Sequence, residues 1–243
     1  MKVLSIGNSF SQDAHAHLHG LATIYGVDME IINLYIGGCS LETHWNNIVG
    51  NHAAYVCQRN GIPGGEMVSV LDGLQMEAWD VITIQQVSQN SGQIESYEPF
   101  LTDMAAYIHR HCPNAQLWFH QTWAYEIEST HWGFSYYNRD QRQMFASIVA
   151  TTEEAAAKIG AKIIPCGRTI QFVRENIPEF EYLNGGRSLC RDTYHLCAEG
   201  RIVAALTWVR ALTGEPLTHC QYGDFDAMLL GKMIDAVNAV FEM

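Results

Sequence analysis

The sequence predicts an α/β fold: three layers, α/β/α, around a five-stranded, mainly parallel sheet. Three observations predict it. Short apolar runs alternate with helical stretches five times along the 243 residues, the pattern of parallel strands joined by crossover helices. The runs are continuously apolar rather than alternating, as strands covered on both faces require. Most of them stop at glycines or amides, the residues that break a strand.

The first strand covers residues 3–6 and stops at Gly7, and a helix is predicted over 12–25. Residues 29–36 read as a second strand, ended by Gly37-Gly38 and followed by a short helical piece. A third strand spans 80–85, with a helix over 98–111 after it. The turn pair Pro113-Asn114 announces a fourth strand over 116–120. A long helix over 139–159 ends at Gly160, a fifth strand covers 162–164, and a closing helix over 198–212 stops at Gly214. Three inserts, 53–79, 125–138 and 175–191, exceed ordinary loop length, and long loops in such folds tend to carry function. No repeat or linker divides the chain, so residues 1–243 are expected to form one domain.

Lys+Arg 14 against Asp+Glu 26 leaves a net charge of −12, so no basic stripe neutralises phosphates, and nucleic acid and anionic lipid are excluded as partners. Charged residues reach only 16%, below the roughly 25% of an average protein. The surface must therefore be rich in uncharged polar groups. No unbroken apolar stretch is long enough to span a bilayer. The chain runs from Met1-Lys2 straight into a strand with no visible signal peptide, and the 7 Cys form no C-x-x-C pair. A reducing, cytoplasmic setting is the expectation, or a secreted or periplasmic one if a leader has been trimmed.

In open parallel sheets ligands sit beyond the carboxyl ends of the strands. Those ends carry Gly7-Asn8-Ser9-Phe10-Ser11, Gly37-Gly38-Cys39-Ser40, Gln85-Gln86-Val87-Ser88 and His120-Gln121-Thr122-Trp123. Asp192-Thr193-Tyr194-His195 precedes the last predicted helix and is the only D-x-x-H in the chain. Acyl transfer needs a nucleophile, a base, a group that orients the base and donors for an oxyanion, and these positions supply all four. Ser9 stands between a strand and a helix, where it serves either as nucleophile or as a helix cap. Asp192 either orients His195 through Nδ1, leaving Nε2 free for a serine, or caps the last helix.

Together these blocks resemble the SGNH (GDSL-type) hydrolase superfamily, in the branch whose first block reads G-N-S-F-S. They span residues 7 to 195 in the family's order. The resemblance implies a flavodoxin-like SGNH fold and a serine esterase working through an acyl-enzyme without cofactor or metal. Ser9 would attack, His195 would act as base and then acid, and Asp192 would orient His195. The oxyanion hole would comprise the N–H of Ser9, the N–H of Gly38 and a block-three amide. Here the chain departs from the family, because no G-x-N-D follows the third strand. Gln85 is the first choice for that amide and Gln86 the second.

His120, Gln121, Trp123, Tyr125 and His44 are expected to line the mouth and bind substrate, with Trp45, Trp132, Tyr136 and Tyr137 extending the wall. Aromatic rings beside amides suit a saccharide ester, so an O-acyl group on a carbohydrate is the preferred substrate. A lipase or thioesterase acting on simple acyl chains, or a sugar-binding protein without catalysis, is the alternative. His15, His17 and His19 form H-x-H-x-H, but no ligand completes a metal tetrahedron. Cys39, Cys190 and Cys197 read as small buried side chains.

Overall fold

The first strand, β1 (Lys2–Gly7), shows how the molecule is layered. In the computed structural model, which describes residues 1–243, its Val3 enters one hydrophobic core while Leu4 and Ile6 enter another. Successive strand side chains point to opposite faces, so a continuously apolar strand must be covered on both. The chain continues through α1 (Ser9–His15), α2 (Leu18–Ile24), β2 (Glu30–Tyr35), α3 (Leu41–Val49), β3 (Tyr55–Arg59), β4 (Ile62–Val68) and α4 (Val70–Gln75). Then come β5 (Val81–Ile84), α5 (Phe100–His111), β6 (Gln116–His120), α6 (Gln141–Ile159), β7 (Lys162–Ile164), α7 (Cys166–Asn176), α8 (Ala198–Thr213) and α9 (Ala227–Glu242). Helices α1, α2, α7, α8 and α9 pack on one face, and α3, α4 and α5 on the other. No helix is long and apolar enough to cross a membrane.

The sheet has seven strands, not the expected five, in the order β4-β3-β2-β1-β5-β6-β7. The five anticipated strands are present and mutually parallel. The two extra ones form an antiparallel hairpin inside the 53–79 insert. Its turn is Asn60-Gly61, both at positive φ, the preferred pair for a two-residue hairpin. The apolar pattern hides this hairpin because β4 is an exposed edge strand carrying Pro63, Gly64 and Gly65. The helix expected over 12–25 divides into α1 and α2, and α4, α7 and α9 are additional to the expected helices.

Helix α1, which begins at Ser9, is seated on a polar row of the sheet. Ser5, Asn33 and Thr83 are register neighbours on β1, β2 and β5. Thr83 Oγ1 donates to Ser5 Oγ (2.7 Å), and Ser5 Oγ meets His15 Nε2 at 3.2 Å. Ser11 Oγ donates to Asn33 Oδ1 (2.9 Å), whose Nδ2 donates to Gln58 Oε1 (2.9 Å). Gly7 allows this approach, since a Cβ there would lie 2.1 Å from Ser11 Oγ. These hydrogen bonds set where the helix begins more narrowly than apolar contact would.

Three buried imidazoles carry a consequence for stability. Burial pushes His15, His44 and His120 down to about 3 from an ordinary 6.5, with His15 adding to the effect on His120. The unfolded chain therefore binds three protons below about pH 6.5 that the native state refuses. Their contribution to stability is complete above that pH and is lost as pH falls toward 3. Urea unfolding at pH 5 should show roughly 5 kcal/mol less stability than at pH 7 from these groups. Equal stability at the two pH values would contradict their burial in the neutral form.

Candidate active site

Strand β1 ends at Gly7, and Asn8 caps α1 by accepting the Phe10 N–H on its side-chain oxygen (3.0 Å). This places Ser9 in the first turn, where backbone N–H groups have no intrahelical partner. Asn8 Nδ2 donates to the Cys39 carbonyl (3.0 Å), tying the first block to the Gly37-Gly38 turn. Gly38 has φ +64, a conformation that favours glycine, and its N–H has no protein acceptor.

The third component arrives from far along the chain. Cys190 and Leu196 form an antiparallel bridge, and the Arg191 N–H bonds the His195 carbonyl (2.8 Å). Within this tight loop Thr193 adopts φ 74. The turn lets Asp192 Oδ1 accept the His195 N–H (2.8 Å) while Oδ2 holds His195 Nδ1 (2.8 Å). His195 Nε2 lies 2.9 Å from Ser9 Oγ. Partial burial raises the Asp192 carboxyl, but hydrogen bonds from the His195 ring and backbone outweigh it and leave it below its ordinary value. Asp192 is thereby an anion facing the imidazole, and His195 Nε2 is aimed at a hydroxyl. Such an arrangement can withdraw a proton from Ser9 as its oxygen attacks a carbonyl. Burial pushes the neighbouring Cys39 thiol up to about 12, which leaves it a poor competing nucleophile.

Ser9, Gly38 and His195 line one pocket of about 250 Å³, with Gln89, His131 and Tyr194 around it. A larger cleft of about 400 Å³ lies beside Arg174 and Glu126, but its lining holds no serine, cysteine or histidine. Hydrogen-bonded geometry, not size, identifies the candidate site.

The remaining expected site residues lie beneath the pocket. Gln85 is buried; its Nε2 donates to Asn8 Oδ1 and its Oε1 faces His120 Nδ1 (2.9 Å). Gln86 is also buried: its Oε1 accepts the N–H groups of Leu41 (3.0 Å) and Val87 (2.8 Å), and its Nε2 bonds Ser96. Neither amide is presented to Ser9. Similarly, His44 is buried against Tyr55 and Cys39. Gln121 Oε1 accepts the Arg168 N–H (3.0 Å). Trp123 stacks on Phe10 at 4.2 Å and donates to the Tyr194 carbonyl (2.8 Å). Tyr125 bonds Ser88 Oγ through its hydroxyl (2.8 Å). His120, Gln121, Trp123, Tyr125 and His44 are all fully buried, so they support the site without forming its wall. The chain after β6 passes under the loops instead of into the mouth, which the strand-end rule does not distinguish.

Gln89 is the amide that does line the pocket. Ser88 Oγ donates to its Oε1 (3.4 Å), and its Nε2 has no protein acceptor. It lies only one residue beyond the 85–88 block already singled out. His131, from the 125–138 insert, also lines the pocket; partial burial, with a smaller effect of His195, lowers its basicity.

One brace escaped sequence reasoning altogether. Asp13 lies one turn after Ser9 on α1, fully buried. It accepts the Leu196 N–H (2.7 Å), Arg191 Nη1 (3.0 Å) and Arg201 Nε (2.8 Å). The same carboxylate thus grips both flanks of the Asp192–His195 turn.

The pattern of a family described as "Domain of unknown function (DUF4886)" matches residues 2–227. A crystal structure of a DUF4886 family protein from Bacteroides uniformis shares 37% identity at TM-score 0.92, covering 100% of this chain and 95% of that one. A candidate SGNH hydrolase from Slackia heliotrinireducens is 20% identical at TM-score 0.58, over 87% of this chain and 98% of its own. An acetyl xylan esterase, AlAXEase, is 16% identical at TM-score 0.56, over 86% and 98%. The fold is therefore similar to that of these SGNH-type and esterase structures. No curated protein matches the sequence.

Asp13→Ala should lower unfolding stability by roughly 3 kcal/mol in urea titration, the cost of breaking a buried charge pair. A loss below about 1 kcal/mol would contradict the role given to this carboxylate.

Proposed function

We propose that this chain, which belongs to the DUF4886 family, is a serine esterase that removes a small acyl group, such as an O-acetyl group on a carbohydrate. The observation that carries this reading is the unbroken hydrogen-bonded series Asp192–His195–Ser9 opening into a pocket that also holds the Gly38 N–H. An SGNH-like fold and an acetyl xylan esterase among the structural neighbours support it.

In this mechanism Ser9 Oγ attacks the ester carbonyl while His195 Nε2 takes its proton, and Asp192 stabilises the imidazolium. The carbonyl oxygen becomes an oxyanion that accepts hydrogen bonds from the N–H groups of Ser9 and Gly38 and from Gln89 Nε2. Collapse of the tetrahedral intermediate expels the alcohol, protonated by His195, and leaves an acyl group on Ser9. Water, deprotonated by His195, then attacks that acyl group and releases the acid. Gln89 takes this role rather than Gln85 or Gln86, since both of those amides are engaged in holding Asn8, Leu41 and Ser96.

A pocket of about 250 Å³ lies below the usual range of small-molecule sites. That favours acetyl-sized acyl groups over the long chains a lipase or thioesterase would take. A binding protein without catalysis would have no need to aim an imidazole at a serine.

Ser9→Ala should reduce hydrolysis of p-nitrophenyl acetate by about 10⁴-fold or more, with the far-UV circular dichroism of the folded chain retained. Unchanged turnover would remove Ser9 as nucleophile. Gln89→Ala should lower kcat by about 10²–10³. A loss of only a fewfold would leave the backbone donors as the whole oxyanion hole.

A further inference from the structure

A rigid ledge beside the Ser9 pocket has no part in the bond-breaking chemistry. It begins at His131, whose Nδ1 accepts the Gly133 N–H at 3.1 Å. With Nδ1 acting as acceptor, the neutral ring carries its proton on Nε2, a donor without a protein partner. The ring packs against Tyr125 (4.8 Å) and Tyr194 (5.0 Å), and so its orientation is held. Trp132 lies nearly parallel to it at 5.6 Å, yet remains 59% exposed. Tyr136, 49% exposed, meets Trp132 edge-on.

This ledge is anchored from below. Tyr137 donates through its hydroxyl to the Gln89 carbonyl (2.9 Å) and accepts the Gly92 N–H (2.9 Å), joining the insert to the loop after β5. Large aromatic side chains are held out to solvent here by a fixed backbone, next to a pocket wall. A flat apolar face beside a neutral hydrogen-bond donor matches a ligand that is apolar on one face and hydroxylated around its rim. A pyranose ring has that character, and an alkyl chain would leave the donor unused.

We propose that His131 and Trp132 form the subsite for the alcohol portion of the substrate and that its occupant is a sugar ring. The indole covers the C–H face of the ring while His131 Nε2–H bonds one of its hydroxyls. This rests on the reading of Ser9 as an esterase nucleophile, because the ring held here is the alcohol expelled from the acyl carbon as the acyl group passes to Ser9.

The test compares kcat/KM for a panel of partially acetylated xylo-, manno- and cello-oligosaccharides with kcat/KM for ethyl acetate, followed by titration of released acid. In Trp132→Ala the saccharide-to-ethyl acetate ratio should fall about tenfold or more, mainly through KM. His131→Phe, which keeps an aromatic ring and loses the donor, should lower the same ratio. A ratio that stays constant across the panel in Trp132→Ala overturns the subsite. Calorimetric titration of the unaltered chain with the unacetylated oligosaccharides supplies a readout independent of catalysis. Binding that disappears in Trp132→Ala supports the ledge, and its absence for every member of the panel overturns it. Failure of the unaltered chain to hydrolyse either kind of ester, with saccharide binding intact, overturns the esterase reading alone.

Discussion

The buried carboxylate of Asp13 is the constraint on which the rest of the site depends. A lone carboxylate in an apolar interior is expensive, and this one is fully buried under α8 and the 190–197 loop. Its charge is tolerable only when Arg191, Arg201 and the Leu196 N–H have arrived. Arg191 is 178 positions away in sequence. Because Asp13 and Ser9 share α1, satisfying the one carboxylate places His195 opposite the other residue's hydroxyl. The first helix and the late loop are thus tied through one buried carboxylate.

Further struts remove what freedom remains. Trp123 touches Phe10 on α1 and the Tyr194 carbonyl in the Asp192–His195 loop, so one indole spans the two halves of the site. Gln85 connects Asn8 with His120, and Gln86 connects the start of α3 with the loop at Ser96. Side chains held this way lose little motion when a ligand arrives. The abundance of uncharged polar residues therefore has a structural meaning first. The amides and imidazoles of Gln85, Gln86, His120 and Gln121 are joists beneath the pocket, whereas those of Asn8, Gln89, His131 and His195 line it.

The parts of the fold visible in the sequence were those with a strong apolar period. Residues 3–6, 29–36 and 80–85 could be read as central strands because both of their faces are buried. Strand β4 could not, since an exposed edge needs no apolar face and tolerates Pro63 and two glycines. At the site, Ser9, Asp192 and His195 were legible because each sits at a recognisable junction of strand, turn and helix. Their meeting follows from the family resemblance, but the Asp13 brace that holds it does not, because an acidic residue inside a helix carries no local signature. The expected sugar-contacting residues after β6 failed for a related reason. Position at a strand end says that a residue is near the site, and burial against α7 and α8 decides which side of the pocket floor it occupies. The insert over 125–138, long by its spacing in the sequence, carries the exposed Trp132 and Tyr136.

The central claim is that Ser9 is a nucleophile activated by His195, and covalent capture tests it most directly. The folded chain would be incubated with a fluorophosphonate at neutral pH and its peptides analysed by mass spectrometry. One adduct per chain on the peptide containing Ser9, much slower to form in His195→Ala, is the predicted result. An unlabelled Ser9, or labelling at the same rate without His195, would contradict it.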